Sequence, residues 1–492
     1  MEKPTIKLQT KGNLLWITPA TSEIRNLVNL AASFELRVQK NGKYTVEKQL
    51  LSQYNESNGL IETYGGLRPR IHGYLTKCGY NVEVVRGEDY VLGADLAQLT
   101  AQDLDDLDGR TDQVDVIGLI CDHDGGFIVE APTGWGKSHI IGQVCQVLPD
   151  AKIAVVVPGK DITSTLYHRI KKRIREVGMV GGGESFMSRI TVCTMESVHK
   201  LAKNEWDLMI FDEVHRAGAP SIANKLAEVF YKTKCVGLSA SPTGRTDGAD
   251  LMVEALFGPV IYRVNYSEGV SRGAVVPIEA RIYRVDLGPQ TTSSNGSVIN
   301  RICLWRNEER NRLIARIANE IPDDEQTLIT VATADHALYL RKHLPNFEVV
   351  FSNLTSKGTL NSYHKGEFQK VKGLYKGKIL DGRREAMRVS FEKGELKKVI
   401  ATGVWNTGVD FKQLAYLIRA DGMASDIAST QTPGRLSRTN EGKELGVLID
   451  FYDAFKPSLE SRSKKRVACY RKKGWDVKII ETNPTKVQTM RR

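Results

Sequence analysis

The sequence predicts an α/β protein with two parallel-sheet domains in tandem, a small α+β domain before them and a basic tail after them. Between about residues 115 and 455, short and almost continuously apolar runs alternate with longer segments of helical periodicity. Strands buried on both faces have such runs, and strand–helix alternation is typical of parallel sheets with crossover helices. A polar stretch at 289–297 (PQTTSSNGS) is typical of a loop or linker.

Length and composition exclude several classes of protein. The chain has 492 residues, of which 41% are hydrophobic and 26% charged, and these values suit a globular protein of three or four domains. The longest apolar runs, such as 153–157 and 208–211, are far shorter than the roughly 20 residues of a membrane span. The first residues contain no apolar signal core, so we expect a protein of the cell interior without a membrane partner.

Cysteines and charges restrict the class further. The seven cysteines include no Cys-x-x-Cys pair, which argues against a disulfide framework and against a zinc site. The formal charge is +11, and the segment 456–492, with twelve Lys and Arg against three Asp and Glu, contributes +9 of it. Such a segment suits a polyanion, most often a nucleic acid, although a solvated tail that only aids solubility would have the same composition.

Residues 1–98 form the predicted N-terminal domain. Short alternating runs at 14–17, 34–38 and 81–85 accompany one or two helical patterns, as in a small α+β domain. Within the segment GGLRPRIHGYLTKCGY, Arg68 and Arg70 stand among tyrosines. Basic side chains interleaved with aromatic ones can bind phosphates and stack on bases, which makes the two arginines candidate nucleic-acid contacts. A helix that begins at a proline and has a solvated basic face explains the same residues equally well.

The two parallel-sheet domains are predicted over 99–270 and 271–455, with a cleft between them. The strands predicted for the first are 126–130, 152–157, 190–194, 206–211 and 234–239. Those predicted for the second are 327–332, 348–351, 398–402, 415–419 and 446–451. A basic segment with aromatic residues, 352–376, interrupts the second domain. It is either a nucleic-acid contact or a surface loop without a special role.

The first strand of the first sheet leads directly into the segment Ala131-Pro-Thr-Gly-Trp-Gly-Lys-Ser138, and a helical pattern follows. A phosphate-binding loop requires this strand–loop–helix context, because glycines let backbone N–H groups approach the phosphates and a helix N-terminus favours negative charge. Lys137 would reach the β- and γ-phosphates, and the hydroxyl of Ser138 would bind Mg²⁺. Ala131 occupies the place of the first Gly in the general pattern. The other predicted contacts of the nucleotide are Thr133, Gly134, Trp135 and Gly136.

An acidic pair follows a later strand of the same sheet. Asp212 and Glu213 come directly after 206–211. Because the carboxyl ends of parallel strands share one edge of a sheet, this pair should open onto the same crevice as the phosphate loop. Asp212 can hold Mg²⁺, and Glu213 can orient or deprotonate the attacking water.

These motifs resemble those of superfamily 2 helicases. The matching segments, in family order, are 131–138 (motif I), 152–160 (Ia), 190–195 (Ib), 212–215 (II), 239–245 (SASPTGR, III), 401–411 (V) and 431–438 (Q-x-x-G-R-x-x-R, VI). The resemblance covers about residues 110–455. It implies two tandem RecA-like lobes that bind ATP with Mg²⁺.

The resemblance also implies roles for further residues. Gln113 would recognise adenine, although its context Arg110-Thr-Asp-Gln113 departs from the family's R-P-Y-Q pattern. Arg435 and Arg438 would reach the γ-phosphate as arginine fingers. The residues that would couple the nucleotide state to lobe closure or shape the motif loops are His215, Ser239, Ser241, Gly408, Asp410 and Gln431. Those that would contact the nucleic-acid backbone are Lys160, Thr194 and Thr402.

The Asp-Glu-x-His segment, the SASPTGRTDG stretch and the small leading domain resemble UvsW-type phage helicases and their RecG- and XPB-like relatives more than RNA-unwinding DEAD-box proteins. We therefore expect an ATP-dependent DNA helicase or translocase that acts on forked or branched DNA in recombination, repair or replication. A monomer in the cytoplasm, or in the host cytoplasm for a viral protein, is expected. Two alternatives stay open: an RNA helicase, and a non-unwinding motor subunit of a restriction or remodelling complex.

Overall fold

The computed structural model describes residues 3–11, 13–40, 43–85, 110–203, 205–245, 247–351, 374–375, 378–379, 382–405, 411–424 and 432–482. The chain divides into two units, one formed by Met1–Pro132 and Gly136–Asn265, the other by Thr133–Trp135 and Tyr266–Arg492. In the part of the chain so described, no helix is long and apolar enough to cross a membrane.

The N-terminal part of the first unit is a five-stranded sheet with two helices. Its elements are β1 (Ile6–Lys11), β2 (Leu14–Thr18), α1 (Ser22–Ala31), β3 (Ser33–Lys40), β4 (Lys43–Leu50), β5 (Ser52–Asn55), β6 (Leu60–Tyr64), α2 (Arg68–Lys77) and β7 (Val82–Val85). The strand order is β5-β6-β2-β1-β7, and β3 and β4 form a separate antiparallel hairpin. Alternate residues such as Leu15 and Ile17 are buried in one core with Ile71 and Leu75 of α2.

The remainder of the first unit is an eight-stranded sheet, parallel except for its β10–β11 hairpin. Its strands are β8 (Phe127–Glu130), β9 (Ile153–Val157), β10 (Val177–Gly181), β11 (Glu184–Phe186), β12 (Ile190–Thr194), β13 (Leu208–Asp212), β14 (Lys234–Ser239) and β15 (Val260–Arg263). The helices are α3 (Thr111–Asp122), α4 (Lys137–Val147), α5 (Lys160–Lys171), α6 (Pro220–Val229) and α7 (Asp250–Phe257). The strand order is β11-β10-β12-β9-β13-β14-β8-β15, so the phosphate-loop strand β8 lies beside β14.

The second unit contains a seven-stranded parallel sheet of order β18-β21-β17-β22-β23-β16-β24. Its strands are β16 (Ile278–Val285), β17 (Thr327–Thr330), β18 (Glu348–Val350), β21 (Lys398–Ala401), β22 (Tyr416–Arg419), β23 (Gly446–Asp453) and β24 (Asp476–Ile480); β19 (Leu374–Tyr375) and β20 (Lys378–Ile379) form a separate hairpin. The helices are α8 (Tyr266–Ser271), α9 (Gly296–Ile299), α10 (Glu308–Glu320), α11 (Ala334–Arg341), α12 (Arg383–Glu392) and α13 (Pro457–Lys472).

Both faces of the second sheet are covered. Neighbouring residues of one strand, Leu328 and Ile329, belong to two different hydrophobic cores, and so do Val399 and Ile400. Successive side chains of a strand point to opposite faces, so the two cores lie on opposite sides of the sheet. This arrangement explains why the strands are almost continuously apolar, and it confirms the predicted α/β class with two parallel sheets.

The segment that the sequence presents as a basic tail is folded through most of its length. Helix α13 and strand β24 belong to the second unit, and β24 pairs with β16 in parallel. Buried residues of α13 recur at helical spacing at Leu459, Ser463, Arg466, Val467 and Tyr470, and Cys469 is buried beside them. The basic segment 456–492 thus contains a helix and a strand of the second unit, and the many exposed Lys and Arg of α13 conceal one face that packs on the sheet.

The N-terminal domain packs on helix α7 of the sheet that follows it. Ala255 of α7 belongs to the N-terminal hydrophobic core, and the amide of Asn13 donates to the Leu256 carbonyl oxygen at 2.9 Å. A Cβ atom on Gly66 would lie 2.2 Å from the Glu254 carbonyl oxygen, which shows how closely the two backbones approach. The predicted boundary near 98 and most of the predicted insertion 352–376 lie outside the described residues.

Candidate nucleotide site

The loop between β8 and α4 contains the predicted phosphate-binding residues. Gly136, directly before α4, has φ +105°, a conformation that residues with a side chain rarely adopt. A Cβ atom there would also lie 2.3 Å from Nε2 of Gln113, which is itself buried. The structure therefore places the carboxamide of Gln113 against the loop, and only glycine fits between them.

Lys137 is folded back onto its own loop. Its side chain is buried, and Nζ donates hydrogen bonds to the carbonyl oxygens of Ala131 at 2.9 Å and Pro132 at 3.2 Å. A buried ammonium group needs acceptors, and these carbonyls supply them. A phosphate group could replace them, so the loop fits a phosphate ligand. Ser138 follows as the second residue of α4, and Trp135 is completely buried.

Asp212 and Glu213 stand at the carboxyl end of β13. Burial, together with the charge of Glu213, raises the pKa of Asp212 to about 7, although Lys137 and the Glu213 N–H group at 3.1 Å oppose the shift. Asp212 is buried and Glu213 is partly buried, so the two adjacent carboxylates are costly to ionise together, and a cation would offset that cost. The pair therefore fits the carboxylate ligand that Mg²⁺ takes from a protein beside a bound nucleotide.

A hydrogen-bonded group connects the acidic pair to the next strand. The hydroxyl of Ser239, the last residue of β14, lies 3.3 Å from Oε2 of Glu213 and 3.1 Å from Nδ1 of His215. It also accepts a hydrogen bond from the Ser241 backbone N–H at 3.1 Å. Burial lowers the pKa of His215 to about 4, so the imidazole is neutral at physiological pH. Four residues predicted from two separate motifs thus meet in one network.

Sequence reasoning missed one member of this region. The guanidinium of Arg245 donates to the carbonyl oxygen of His215 and forms an ion pair with Asp247. Arg245 could have been singled out, since it ends the motif III segment, but the sequence does not show that it contacts His215 and Asp247.

In the second unit, Arg435 and Arg438 lie in and directly after a 3-10 turn, Pro433–Ser437. Arg435 is buried, with its guanidinium carbon 5.9 Å from the centre of the Phe411 ring. Burial and the neighbouring charge of Arg438 lower the pKa of Lys443 to about 8. Positive charge is therefore concentrated around Arg438, and Lys443 was not predicted there. Gly408, Asp410 and Gln431 lie outside the described residues.

Two of the predicted nucleic-acid contacts meet at the turn between β10 and β11. Thr194 ends β12 and Lys160 begins α5. A Cβ atom on Gly181 would lie 2.5 Å from Oγ1 of Thr194, and one on Gly182 would lie 2.7 Å from Cγ of Lys160. The two side chains therefore line the same turn. Thr402, in the other unit, follows β21 and donates its N–H to the Val350 carbonyl oxygen at 3.0 Å.

Arg68 and Arg70 are engaged in ion pairs. Arg68 lies 3.2 Å from Asp124, and Arg70 makes two hydrogen bonds with the Glu254 carboxylate, at 2.9 and 2.5 Å. Both pairs join the N-terminal domain to the following sheet. These contacts indicate a docking role, and nucleic-acid binding by the two arginines stays a prediction.

The two parallel sheets, the loop before α4 and the Asp212–Glu213 pair resemble those of superfamily 2 helicases, the class that similarity to known proteins supports. The protein family described as "Type III restriction enzyme, res subunit" matches residues 101–244. Over 342 residues, the chain is 24% identical to the DNA 3'-5' translocase XPB2 of Sulfurisphaera tokodaii, across 65% of this chain and 77% of that protein. Over 368 residues, it is 24% identical to the ATP-dependent DNA helicase uvsW of Enterobacteria phage T4, across 69% and 68% of the two chains.

The fold agrees with these relationships. A fragment of a putative HsdR subunit of a type I restriction enzyme from Vibrio vulnificus superimposes with a TM-score of 0.52 at 16% identity, across 88% of this chain and 76% of that one. The predicted relationship to superfamily 2 helicases, including the UvsW-type and XPB-like proteins, is confirmed.

Proposed function

We propose that the protein is an ATP-dependent DNA helicase or translocase that acts on forked or branched DNA. The observation that carries this proposal is the network in which the partly exposed Glu213 is hydrogen-bonded to the buried Ser239, which also bonds His215, beside the phosphate loop. The chain is similar to XPB2, which is named a DNA translocase, and to uvsW, which is named a DNA helicase. This similarity supports DNA as the nucleic acid on which the protein acts.

ATP and Mg²⁺ are the proposed ligands. Gly136, Lys137 and the start of α4 would hold the phosphates, while Ser138 and Asp212 would hold the metal ion. When bound, Mg²⁺ neutralises charge on the phosphates. Gln113, held against the loop by its contact at Gly136, is the proposed adenine contact. Thr133, Gly134 and Trp135 complete the loop.

Other residues of the chain would activate water, couple the motifs and stabilise the transferring phosphoryl group. Glu213 accepts a hydrogen bond from Ser239, which fixes the carboxylate so that it can orient and deprotonate water. Neutral His215 keeps the same hydroxyl in place, so nucleotide contacts and motif III move together. Arg435 and Arg438 supply positive charge for the transferring phosphoryl group. Gly408, Asp410 and Gln431 keep their proposed coupling roles.

Nucleic acid would be contacted through its backbone. Lys160 and Thr194 line one turn in the first unit, and Thr402 follows a strand of the second. Ammonium, hydroxyl and backbone N–H groups bind phosphate without reading bases, which suits movement along any sequence. The small domain docked on α7 supports a preference for branched DNA, because it is an accessory body through which an arm of a fork could be held. A monomeric state and a cytoplasmic location are part of the proposal.

A second candidate has its own support. The match to a restriction-enzyme subunit family at 101–244 and the HsdR-like fold favour a motor subunit that moves on duplex DNA without separating strands. An RNA helicase is the third possibility, with the same chemistry on another polymer.

One experiment separates the three. ATP hydrolysis is measured with linear duplex, single-stranded DNA, a fork, a four-way junction and RNA, and strand separation is followed on the fork and on an RNA duplex. The proposal predicts the strongest stimulation and separation with branched DNA, and loss of hydrolysis in Lys137→Ala. Stimulation by linear duplex without separation would favour the motor subunit, and stimulation by RNA alone would favour the RNA helicase.

A further inference from the structure

The β3–β4 hairpin of the N-terminal domain touches the loop that follows β14. The Arg37 backbone N–H donates to the Asp247 carbonyl oxygen at 2.9 Å. Gly248 has φ +84°, and a Cβ atom there would lie 2.4 Å from the Glu35 carbonyl oxygen. The backbone of β3 therefore lies directly on residues 247 and 248, with no room for a side chain between them.

The same loop reaches the nucleotide site through Arg245. Its side chain is only 13% exposed, and its guanidinium donates to the His215 carbonyl oxygen and to both carboxylate oxygens of Asp247, with 2.9 Å from Nε to Oδ1. Burial is the largest single influence and would raise the pKa of Asp247, but the hydrogen bonds from Arg245 and the Ala249 N–H group and the charge of Arg245 together lower it, so the pair is ionic. The planar fork of an arginine holds both partners in a fixed direction, which a lysine cannot do.

The other side of the loop is also held. The Asp250 carboxylate accepts hydrogen bonds from the backbone N–H groups of Gly244 at 2.9 Å and Arg245 at 3.1 Å. Asp250 begins α7, the helix on which the N-terminal domain packs. The backbone at Arg245 is thus held by α7, and its side chain is held by Asp247, whose backbone carbonyl is bound to β3 of the N-terminal domain.

We propose that Arg245 is a positioning residue for Glu213, and that the β3–β4 hairpin determines its position, so that the N-terminal domain controls the rate of ATP hydrolysis. The inference rests on the proposed function, since Glu213 is the proposed base. A shift of β3 moves residues 247 and 248 and, through the Asp247–Arg245 pair, the His215 carbonyl. His215 and Glu213 lie in one turn, and both side chains are hydrogen-bonded to the hydroxyl of Ser239. A movement of the His215 carbonyl therefore moves the Glu213 carboxylate as well.

The test uses Arg245→Gln, Arg245→Lys, Gly248→Ala and the double variant Arg245→Gln with Gly248→Ala. Gly59→Ala is the matched control for backbone strain, because Gly59 has φ +69° but nothing within 4 Å of its would-be Cβ. Arg312→Gln is the control for loss of an arginine, since Arg312 is 70% exposed and pairs with Glu308 on its own helix. The measurements are kcat and KM for ATP with and without forked DNA, and the melting temperature.

For Arg245→Gln we expect kcat to fall at least about tenfold with KM within about twofold, because a displacement of roughly 1 Å at a reacting group costs up to about 100-fold. Arg245→Lys should lie between this variant and the wild type. Gly248→Ala should lower kcat more than Gly59→Ala does. Because both sites act through one path, the double variant should be no slower than Arg245→Gln alone.

Several results would overturn the inference: values of kcat equal to those of the controls, effects confined to KM or to the melting temperature, or independent and additive losses in the double variant. Loss of hydrolysis in Lys137→Ala, with Arg245→Gln and Gly248→Ala at control values, would reject the inference and leave the proposed function standing. A wild-type protein without ATP hydrolysis would reject both.

Discussion

Glu213 has φ +60°, and among the residues that the structure describes it alone combines a positive φ with a side chain. This conformation costs about 1–3 kcal/mol, so surrounding contacts must hold it. Ser239 and His215 hold its side chain, and Arg245 holds the following turn through the His215 carbonyl. Strain that is maintained by a dedicated network is typical of a group with a defined chemical task.

Single substitutions of the two motif VI arginines, Arg435 and Arg438, test the role of individual side chains in hydrolysis. Arg435→Ala or Arg438→Ala should leave nucleotide binding within about threefold and lower turnover by roughly 10³-fold, because their charge is needed mainly in the transition state. Binding of a fluorescent nucleotide and steady-state hydrolysis give the two quantities, and Arg312→Ala, an exposed arginine, is the control. If basal turnover stayed unchanged and only stimulation by DNA disappeared, the pair would face DNA instead.

At the scale of elements, the second sheet shows why charged residues mislead sequence reasoning. Arg466 of α13 and Asp450 of β23 are each 2% exposed and lie 2.8 Å apart, and Tyr470 donates to the same carboxylate at 2.7 Å. Burial is the largest single influence and would raise the pKa of Asp450, but the charges of Arg466 and Arg419 and the hydrogen bonds from Arg466 and Tyr470 together lower it. The carboxylate's stabilising effect is therefore complete at neutral pH and is lost as the pH falls through the folded-state pKa.

Asp450→Asn should therefore destabilise the second unit by about 3–5 kcal/mol, because it leaves the Arg466 guanidinium buried with a neutral partner. Glu460→Gln removes the partner of Lys464 in an exposed, solvent-screened pair on the same helix and should change the stability far less. Urea unfolding of both variants at neutral pH measures the difference. Equal stabilities would mean that α13 is held by its apolar residues alone.

Whether a strand could be predicted depended on how completely apolar its residues are. All ten strands proposed for the two large sheets are present, because both of their faces are covered and their residues are almost all apolar. Strand β16 (IEARIYRV) was missed although it lies between β23 and β24, since every second residue is polar or only partly buried. Strand β24 (DVKII) was missed because it lies at the edge of the sheet and has no buried residue, so it lacks the continuously apolar pattern of the inner strands.

The positions of the candidate site residues at strand ends could be predicted, but the contacts between distant segments could not. Lys137, Asp212, Glu213 and His215 followed from motif order, since short segments at strand ends carry them. The contact of β3 with Asp247 could not be predicted, because it joins backbone atoms of segments distant in sequence.

For the whole molecule, the +11 charge predicts salt-dependent binding to nucleic acid. Since 457–480 is folded into the second sheet, removal of all of 456–492 would destabilise the second unit. The informative truncation is 483–492, which contains Lys486, Arg491 and Arg492 and no acidic residue. For duplex DNA, the slope of log affinity against log salt should become smaller by about 0.9 for each phosphate that these residues neutralise.

The truncated protein should therefore bind DNA with a slope smaller by up to about three units, with unchanged melting temperature and basal hydrolysis. Fluorescence anisotropy over a range of salt concentrations measures the slope. A variant that keeps the length but replaces the three basic residues with Gln is the control. An unchanged slope in both would place the DNA-binding charge elsewhere in the chain.

The central claim is that ATP hydrolysis at the Lys137–Glu213 site drives the protein along DNA, and Glu213→Gln tests it most directly. The substitution keeps size and hydrogen bonding and removes only the carboxylate, so ATP and forked DNA should bind within about threefold of the wild type. Removal of a general base costs about 10²–10⁴-fold, and DNA-stimulated hydrolysis and fork unwinding should fall together by that factor. Near wild-type hydrolysis in Glu213→Gln, or unwinding that continues without it, would contradict the account.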